Sequence, residues 1–486
     1  MSRFLHLAII CVICGFGAAA CGTSLFRPKH DFQYRWIGTD RWAAEHGCDV
    51  NIPHALQNGG YQHYQFWGTF HTFDELLPAQ DYFSDHPEYF ALDNGKRTPR
   101  QLCTSNGEVQ RLVAERIKNL LRDHPELTAV TLGPEDNRLF CQCPKCQSLD
   151  ELNAAPDQVH SRRLFVFYQR VSELVHQNFP DVIIRFGAYD TYAAPPKDNR
   201  LTLPPKTFPL ICHFQQYCNN HPIPDPSCEP NTRFRQIVAE WQNLADDLFI
   251  YEYYYKVNWL DLPWPLVHAI GEDIPWYKVH GVKGLYSQYR ADSAGSLLNF
   301  HVAAALLLDA DADVNKLVKG FCVETFGPAW KEMRAYFMVL EEAMVASGRH
   351  IPYKGFALHH ASFVFDDKVL DRCDRLLGLA RAKAEGTAHE DNVLKFERLM
   401  EYTDQCVDFL RIAKDVLVGN GDAGGCSGKK EKARLALCKG QALVRFVKNN
   451  KERYQEVIPT PGQVNPYMQH ILDQLEEMAE EEGPRG

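Results

Sequence analysis

The chain has 486 residues, 45% hydrophobic, 12% aromatic and 23% charged, which is ample for a packed core and excludes wholesale disorder. Its 52 basic and 62 acidic side chains leave a formal charge of −10, and no basic run exceeds Lys429-Lys430. A nucleic-acid partner is therefore not expected, because binding a phosphate backbone needs a clustered basic footprint.

Residues 1–20 read as an export signal. Arg3 supplies a sparse positive start, Leu5 to Phe16 an apolar stretch too short to span a bilayer, and Ala18-Ala19-Ala20 the small side chains a signal peptidase needs. Cys21 follows at once, as in a bacterial lipobox. Two readings stand: plain secretion with Cys21 unmodified, or membrane attachment through a lipidated Cys21. No later apolar run approaches the roughly 18 residues of a membrane span. The expected location is exported: periplasmic, cell-surface or extracellular.

From residue 30 to 312, short apolar runs alternate with amphipathic helical stretches, the pattern of βα units around a parallel sheet. Strands are expected at Tyr34–Ile37, Trp67–His71, Arg100–Thr104, Ala129–Leu132, Val182–Ala188, Leu210–Phe214, Leu248–Tyr253 and Val282–Tyr286. Helices are expected between them, at Val109–Arg122, Asp157–Asn178, Asn231–Leu244, Trp264–Val279 and Leu297–Leu308. Eight strands over this span predict an α/β fold, a (β/α)8 TIM-type barrel. A doubly wound open sheet is the alternative, weakened because no Gly-rich dinucleotide fingerprint follows any strand. Residues 313–486 carry only helical periodicity, at Lys316–Phe326, Ala329–Ala346, Asp367–Ala384, Asn392–Val418, Lys430–Asn450 and Val464–Glu482. They predict a C-terminal all-helical module, broken by the Gly-rich stretch Gly419–Gly428.

Barrels build their sites at the C-terminal ends of the strands. There Ala129–Leu132 runs into Gly133-Pro134-Glu135-Asp136-Asn137, two adjacent carboxylates at a bend. Cleaving a glycosidic bond needs one carboxylic acid to protonate the leaving oxygen and a second group to trap or stabilise the oxocarbenium ion. An ordinary acidic loop capping the next helix would carry the same residues. Glu252 sits in the aromatic strand Leu248–Tyr255, costly to bury unless paired. It fits either a pocket carboxylate or a structural ion pair. Tyr253, Trp259 and Trp264 would continue an aromatic lining on which sugar faces stack. His71, Asn106, Tyr189, His221 and Gln288 add hydrogen-bonding groups near strand ends, together pointing to a polyhydroxylated substrate.

Sixteen cysteines are present, and one cluster stands out, Cys141-Gln-Cys143-Pro-Lys-Cys146. Its three thiolates could share a structural tetrahedral zinc with a fourth ligand such as Cys212, Cys218 or a histidine; a disulfide or packed free thiols are the alternatives. No HExxH, P-loop, Gly-x-Ser-x-Gly or EF-hand loop occurs, so no cofactor is expected to be required for catalysis.

Gly133-Pro-Glu-Asp136 followed by Phe140-Cys-Gln-Cys-Pro-Lys-Cys146 resembles the signature of domain-of-unknown-function family 4838, which overlaps glycoside hydrolase family 163. His71-Thr-Phe, His86-Pro-Glu-Tyr-Phe-Ala-Leu92, Gln101-Leu-Cys-Thr-Ser-Asn106, Ala188-Tyr189, His221-Pro222, Tyr251-Glu-Tyr253 and Leu262-Pro-Trp-Pro265 agree with it, over roughly Phe32 to Gly348. The resemblance implies a catalytic (β/α)8 barrel and, from characterised relatives, endo-acting β-N-acetylglucosaminidase activity on glycans. Glu135 stands where many members carry Asn, and Glu252 where many carry Asp. Many members also carry a β-rich domain before the barrel, which here is expected to start almost directly after the signal.

The expectation is an exported or lipid-anchored glycoside hydrolase, with Glu135 as general acid/base and Asp136 its partner. Asp136 would orient a substrate acetamido group, or Glu252 would serve as a protein nucleophile. A non-catalytic carbohydrate-binding protein on a degenerate barrel is the alternative, and a zinc hydrolase using the cysteines a third. The first reading requires Glu135, Asp136 and Glu252 to open into one tyrosine-walled hollow.

Overall fold

Nine strands occur among the described residues: β1 (Tyr34–Trp36), β2 (Phe66–Trp67), β3 (Phe90–Asp93), β4 (Lys96–Leu102), β5 (Ala129–Leu132), β6 (Ile183–Ala188), β7 (Thr207–Cys212), β8 (Leu248–Glu252) and β9 (Val282–Ser287). The computed structural model describes residues 31–37, 40–48, 66–68, 70–198, 200–214, 216–288, 293–419, 426–455, 457–458 and 463–480. The expected export signal, Cys21 and most of the Gly-rich stretch lie outside them.

Seven strands form one all-parallel sheet in the order β1-β9-β8-β7-β6-β5-β2. Sheet neighbours thus follow chain order around a barrel-like circuit, with β1 and β2 at the two ends and no ladder joining them among the described residues. The expected eighth strand is not part of this sheet. The stretch expected at Arg100–Thr104 belongs instead to β4, paired antiparallel with β3 in a two-stranded hairpin. Asn94 and Gly95 connect the pair with φ of 47° and 78°. Two consecutive left-handed residues make the tight turn whose twist suits an antiparallel hairpin, and β4 is thereby committed away from the parallel sheet.

The strands are buried on both faces, as parallel strands covered by helices must be. Side chains alternate along each strand. On β8, Phe249 and Tyr251 join the inner cluster with Tyr34, Trp36, Phe208, Leu210 and Cys212. Leu248 and Ile250 join the outer core against the helices. The sheet curls enough that residues from distant strands meet inside it. The Arg185 guanidinium of β6 lies 5.0 Å from the Trp36 ring of β1 and 5.9 Å from the Phe249 ring of β8, and it donates to Thr131 Oγ1 at 2.8 Å. Burial pulls its pKa down to about 9. The cation–π contacts and the hydrogen bond offset part of that desolvation cost.

The helices follow from sequence signals. Gly107–Asp123 buries Val109, Val113, Ala114, Ile117 and Leu121 along one face, and Asn106 caps its start, Oδ1 accepting from the Glu108 N–H at 2.9 Å. After the sheet-bearing region come Val314–Phe326, Trp330–Ala346, Ala357–Val364, Asp367–Ala384, Glu390–Leu417, Cys426–Asn449 and Pro466–Glu480. Ala357–Val364 is a helix that the periodicity did not single out. Asp313 and Asp366 cap their helices by accepting from the N–H groups of Lys316 and Val369.

Residues Asp31–Gly486 form one compact unit, and specific bonds join its two parts. Tyr402 donates to the Leu260 carbonyl at 2.7 Å. Glu341, on helix Trp330–Ala346, caps the barrel-side helix Val267–Val279 by accepting from the N–H groups of Val267 and His268 at 2.9 and 3.1 Å. It also meets His268 Nδ1 at 2.6 Å. Burial lowers the His268 pKa, but Glu341 more than compensates and the net shift is upward.

A raised folded pKa means that this stabilisation is fully present below the ordinary histidine value of 6.5 and is lost as pH rises through the shifted value. Glu341→Ala is expected to cost about 1–3 kcal/mol by stranding the half-buried donors. The deficit against wild type, measured by denaturant unfolding across a pH series, should be largest in acid and shrink towards alkaline pH.

Candidate functional site

The C-terminal ends of β5 to β8 meet at one mouth. Leaving β5, the chain approaches Phe70 so closely that a Cβ on Gly133 would stand 2.2 Å from the Phe70 carbonyl oxygen. The Gly133 carbonyl accepts from the N–H groups of Thr72 and Phe73 at 3.0 and 3.2 Å, fixing the segment that carries His71. His71 Nδ1 donates to the Pro134 carbonyl at 2.6 Å, which turns Nε2 towards Asp136 Oδ1, 4.0 Å away. Tyr189, following β6, donates to the same Asp136 oxygen at 3.4 Å. Burial and the adjacent carboxylate push the Tyr189 phenol upward, so it remains a donor. The Asp136 side chain is 69% exposed.

Beneath Asp136 lies a packed cluster of rings, the ring well, in which Phe214, Tyr253 and Tyr353 are buried and Tyr189 is half-buried at the rim. Tyr189 packs on Phe214 at 4.6 Å, Phe214 on Tyr253 at 5.5 Å and on Tyr353 at 5.0 Å, and Tyr253 on Tyr353 at 4.2 Å. Tyr353 donates to Gln288 Oε1 at 2.9 Å, and the Lys354 ammonium lies 5.4 Å from the Phe214 ring. The structure therefore brings together His71, Asp136, Tyr189, Tyr253 and Gln288 from the sequence-derived set. Phe214 and Tyr353 were missed. Phe214 continues the inward parity of Leu210 and Cys212 and could have been found by it; Tyr353 comes from the helical part and left no local signal.

Glu135 faces elsewhere. The loop after β5 turns tightly at Asp136, the Asn137 N–H donating to the Glu135 carbonyl at 2.7 Å, and the Glu135 carboxylate accepts from the Asp74 N–H at 2.9 Å, at the first turn of the short helix Phe73–Leu76. Its role is to fasten that turn. The expectation of an adjacent, mutually repelling Glu135–Asp136 pair in one hollow is corrected accordingly.

Glu252 is also corrected. It has the parity of Leu248 and Ile250, points to the outer layer and is 2% exposed. It pairs with His213 Nδ1 at 3.2 Å, receives the Tyr277 hydroxyl, and accepts from the Tyr253 N–H at 3.2 Å. Burial lowers the His213 pKa, but the charge and hydrogen bond of Glu252, with Asp273 and Asn231, together outweigh it and the net shift is upward. Burial and Glu252 together drive the nearby Asp273 carboxyl strongly up. Glu252 is a structural carboxylate buried beneath helix Val267–Val279, whose Tyr277 bonds it, and it does not reach the mouth.

Three further expectations change. Asn106 is the helix cap described above. Trp259 and Trp264 are buried, with ring centroids 4.9 Å apart and the Lys256 ammonium at 5.3 and 4.9 Å, so they line no surface. His221 lies away from the ring well, its Nδ1 3.2 Å from Cys218 Sγ. Two clefts of about 700 Å³ occur among the described residues away from the mouth, one bordered by Asp374, Arg381, Glu401 and Arg453 and the other by Ala154, Pro195 and Arg233.

The cysteine triad finds its fourth partner in Cys103, just past β4, rather than in Cys212, Cys218 or a histidine. Cys103, Cys141, Cys143 and Cys146 are all buried, and their Sγ atoms lie within 4.8 Å of one another. Cys103 Sγ is 3.7 Å from Cys143 Sγ and 3.9 Å from Cys146 Sγ. Four thiolates around zinc at about 2.3 Å would have S···S edges of about 3.8 Å. The Leu92 N–H donates to Cys141 Sγ at 3.3 Å, as an outer partner of a thiolate ligand would. The donor set fits a closed structural zinc site joining the β3–β4 hairpin to the loop after β5. The signal was present in Gln101-Leu-Cys103-Thr-Ser, whose cysteine is not spaced like the others.

The family model for Domain of unknown function (DUF4838) matches residues 24–338. No curated protein matches the chain. Among solved structures, a mutant O-GlcNAc hydrolase from Thermobaculum terrenum is similar over 92% of this chain and 96% of its own, at 11% identity and a TM-score of 0.41. A likeness of that grade carries no functional argument.

Because Glu252 serves packing, Glu252→Gln should lower the thermal midpoint while leaving any binding at the mouth unchanged. The expected cost is about 3–5 kcal/mol if the charge network behaves as a broken buried pair. Thermal unfolding paired with a glycan-binding assay checks it.

Proposed function

The chain belongs to the family Domain of unknown function (DUF4838), and on that premise we propose that its barrel mouth binds and hydrolyses a glycan, with Asp136 as general acid and base. The observation that carries this reading is the exposed Asp136 carboxylate standing over the ring well, bonded by Tyr189 and faced by His71. The half-buried Tyr189 ring at the rim receives the apolar face of a pyranose, and Gln288 meets sugar hydroxyl groups.

With Glu135 and Glu252 engaged elsewhere, a covalent glycosyl-enzyme on either is not supported. A substrate bearing a 2-acetamido group needs no protein nucleophile. Its carbonyl oxygen attacks the anomeric carbon while Asp136 passes a proton to the departing glycosidic oxygen. Water then opens the cyclic intermediate, and the Asp136 carboxylate takes the proton back. Tyr189 donates to the Asp136 oxygen that is not transferring the proton, and His71 faces the same oxygen at 4.0 Å. This makes the proposed activity β-N-acetylglucosaminidase-like. Export through residues 1–20, with or without lipid attachment at Cys21, matches an extracellular glycan as substrate.

Zinc at Cys103, Cys141, Cys143 and Cys146 belongs to the proposal as a structural ion. Bound there it would stabilise the hairpin, and no step of hydrolysis passes through it. A second reading, a saccharide-binding protein without turnover, is favoured by one observation: among the described residues, Asp136 is the one carboxylate that bonds a ring of this cluster, Glu135 being bonded to the Asp74 N–H and Asp190 paired with Arg138, so no second acid stands beside it.

Asp136→Asn is expected to lower turnover of an N-glycan or an aryl N-acetylglucosaminide by about 10²–10⁴-fold, the usual worth of a general acid. Glu135→Gln should retain most activity, and Tyr253→Ala should weaken glycan binding. Full activity in Asp136→Asn would remove Asp136 from the mechanism; wild-type binding without turnover would select the second reading.

A further inference from the structure

Cys218, His221 and Cys228 lie in the long loop after β7, and His350 lies 122 residues beyond Cys228 in the segment between helices Trp330–Ala346 and Ala357–Val364. One donor atom from each of the four falls within 4.8 Å of the others. Cys218 Sγ is 3.2 Å from His221 Nδ1, and Cys228 Sγ is 3.6 Å from His350 Nδ1. The two imidazole rings lie 4.5 Å apart. Zinc bound at about 2.3 Å to sulfur and 2.0–2.1 Å to nitrogen has S···N edges of about 3.6 Å, so these separations suit one ion.

The surroundings are prepared for such an ion. Asn231, fully buried, accepts from the Cys218 N–H at 2.8 Å and donates to the carbonyls of Cys218 and His221 at 3.0 Å each, holding the Cys218–His221 turn in shape. The His221 N–H donates to Cys218 Sγ at 3.3 Å, a contact that favours thiolate. Across the gap, Asn219 N–H donates to the Ile351 carbonyl at 3.0 Å, Asn220 Nδ2 to the Arg349 carbonyl at 2.9 Å, and Cys218 bridges Pro352 in antiparallel fashion. A disulfide between Cys218 and Cys228 would explain the sulfurs but would leave two imidazoles converging on them without reason.

We propose that Cys218, His221, Cys228 and His350 form a second structural zinc site, which clamps the loop after β7 to the helical part of the chain. Binding releases the two thiol protons to solvent, and two thiolates with two neutral imidazoles give an electroneutral centre. Four protein ligands leave no open position, so the ion is structural. The clamp lies three residues before Tyr353 and therefore fixes the segment that delivers this ring to the mouth. The metal site itself does not depend on the hydrolase reading.

The test is zinc content by elemental mass spectrometry of the purified full chain, with disulfide mapping. Wild type should hold two equivalents. His350→Ala and Cys228→Ser should each fall to one and Cys143→Ser, in the other cluster, also to one, so the two sites are counted separately. Cobalt exchanged into Cys143→Ser should give the visible bands of a tetrahedral two-sulfur site, absent from the double variant Cys143→Ser/His350→Ala. Hydrogen exchange over residues 349–353 should quicken in His350→Ala. A single equivalent in wild type that Cys143→Ser removes, an unchanged count in both His350→Ala and Cys228→Ser, or a mapped Cys218–Cys228 disulfide would overturn the proposal.

Discussion

The mouth depends on the seam between the loop after β7 and residues 349–353. Backbone and side-chain bonds cross it in both directions, and two more come from the loop after β8. Lys256 donates to the Pro352 carbonyl at 2.8 Å, and Asn258 to the Tyr353 carbonyl at 2.7 Å. Lys256 is almost fully buried, its pKa driven down by desolvation, and it is held between that carbonyl and two tryptophan faces. Such a residue is expensive to place and rigid once satisfied. Because the seam is polar and specific, Tyr353 can be supplied to the ring well from a part of the chain that has no strands.

A second constraint is the period-two alternation of parallel strands. Each inner position of β8 is aromatic and faces the inside of the curled sheet, and each outer position faces helices. Glu252 falls on the outer parity, and the fold answers with His213 and Tyr277. The tight turn after β5 separates Glu135, bonded to the Asp74 N–H, from Asp136, bonded by Tyr189. It leaves one carboxylate over the aromatic well, which is why the chemistry considered for the mouth draws its second reacting group from the substrate.

Sulfur and imidazole cluster at the edges of this frame rather than at its mouth. Cys103, Cys141, Cys143 and Cys146 join a hairpin to the loop that carries Asp136. Cys218, His221, Cys228 and His350 bracket the loop on the other side. Both groups sit where irregular backbone lacks a ladder or helix to hold it, the usual place for a small chain segment to gain stability from a shared ion.

From sequence alone came the parallel α/β character, the span of the helical part and the residues His71, Asp136, Tyr189, Tyr253 and Gln288, because periodicity and strand-end position are local properties. The cysteine triad was legible for the same reason, its members being spaced within six residues. Parity was also written in β8, since Phe249, Tyr251 and Tyr253 share one face and Glu252 the other, but the aromatic setting of Glu252 masked it. Tertiary structure alone decided that the polar stretch before Cys103 forms a hairpin, that Cys103 completes the triad, and that Tyr353 and His350 arrive from the helical part. Those outcomes depend on contacts between residues tens to hundreds of positions apart, whose cost in chain entropy is repaid only by packing that no local pattern encodes.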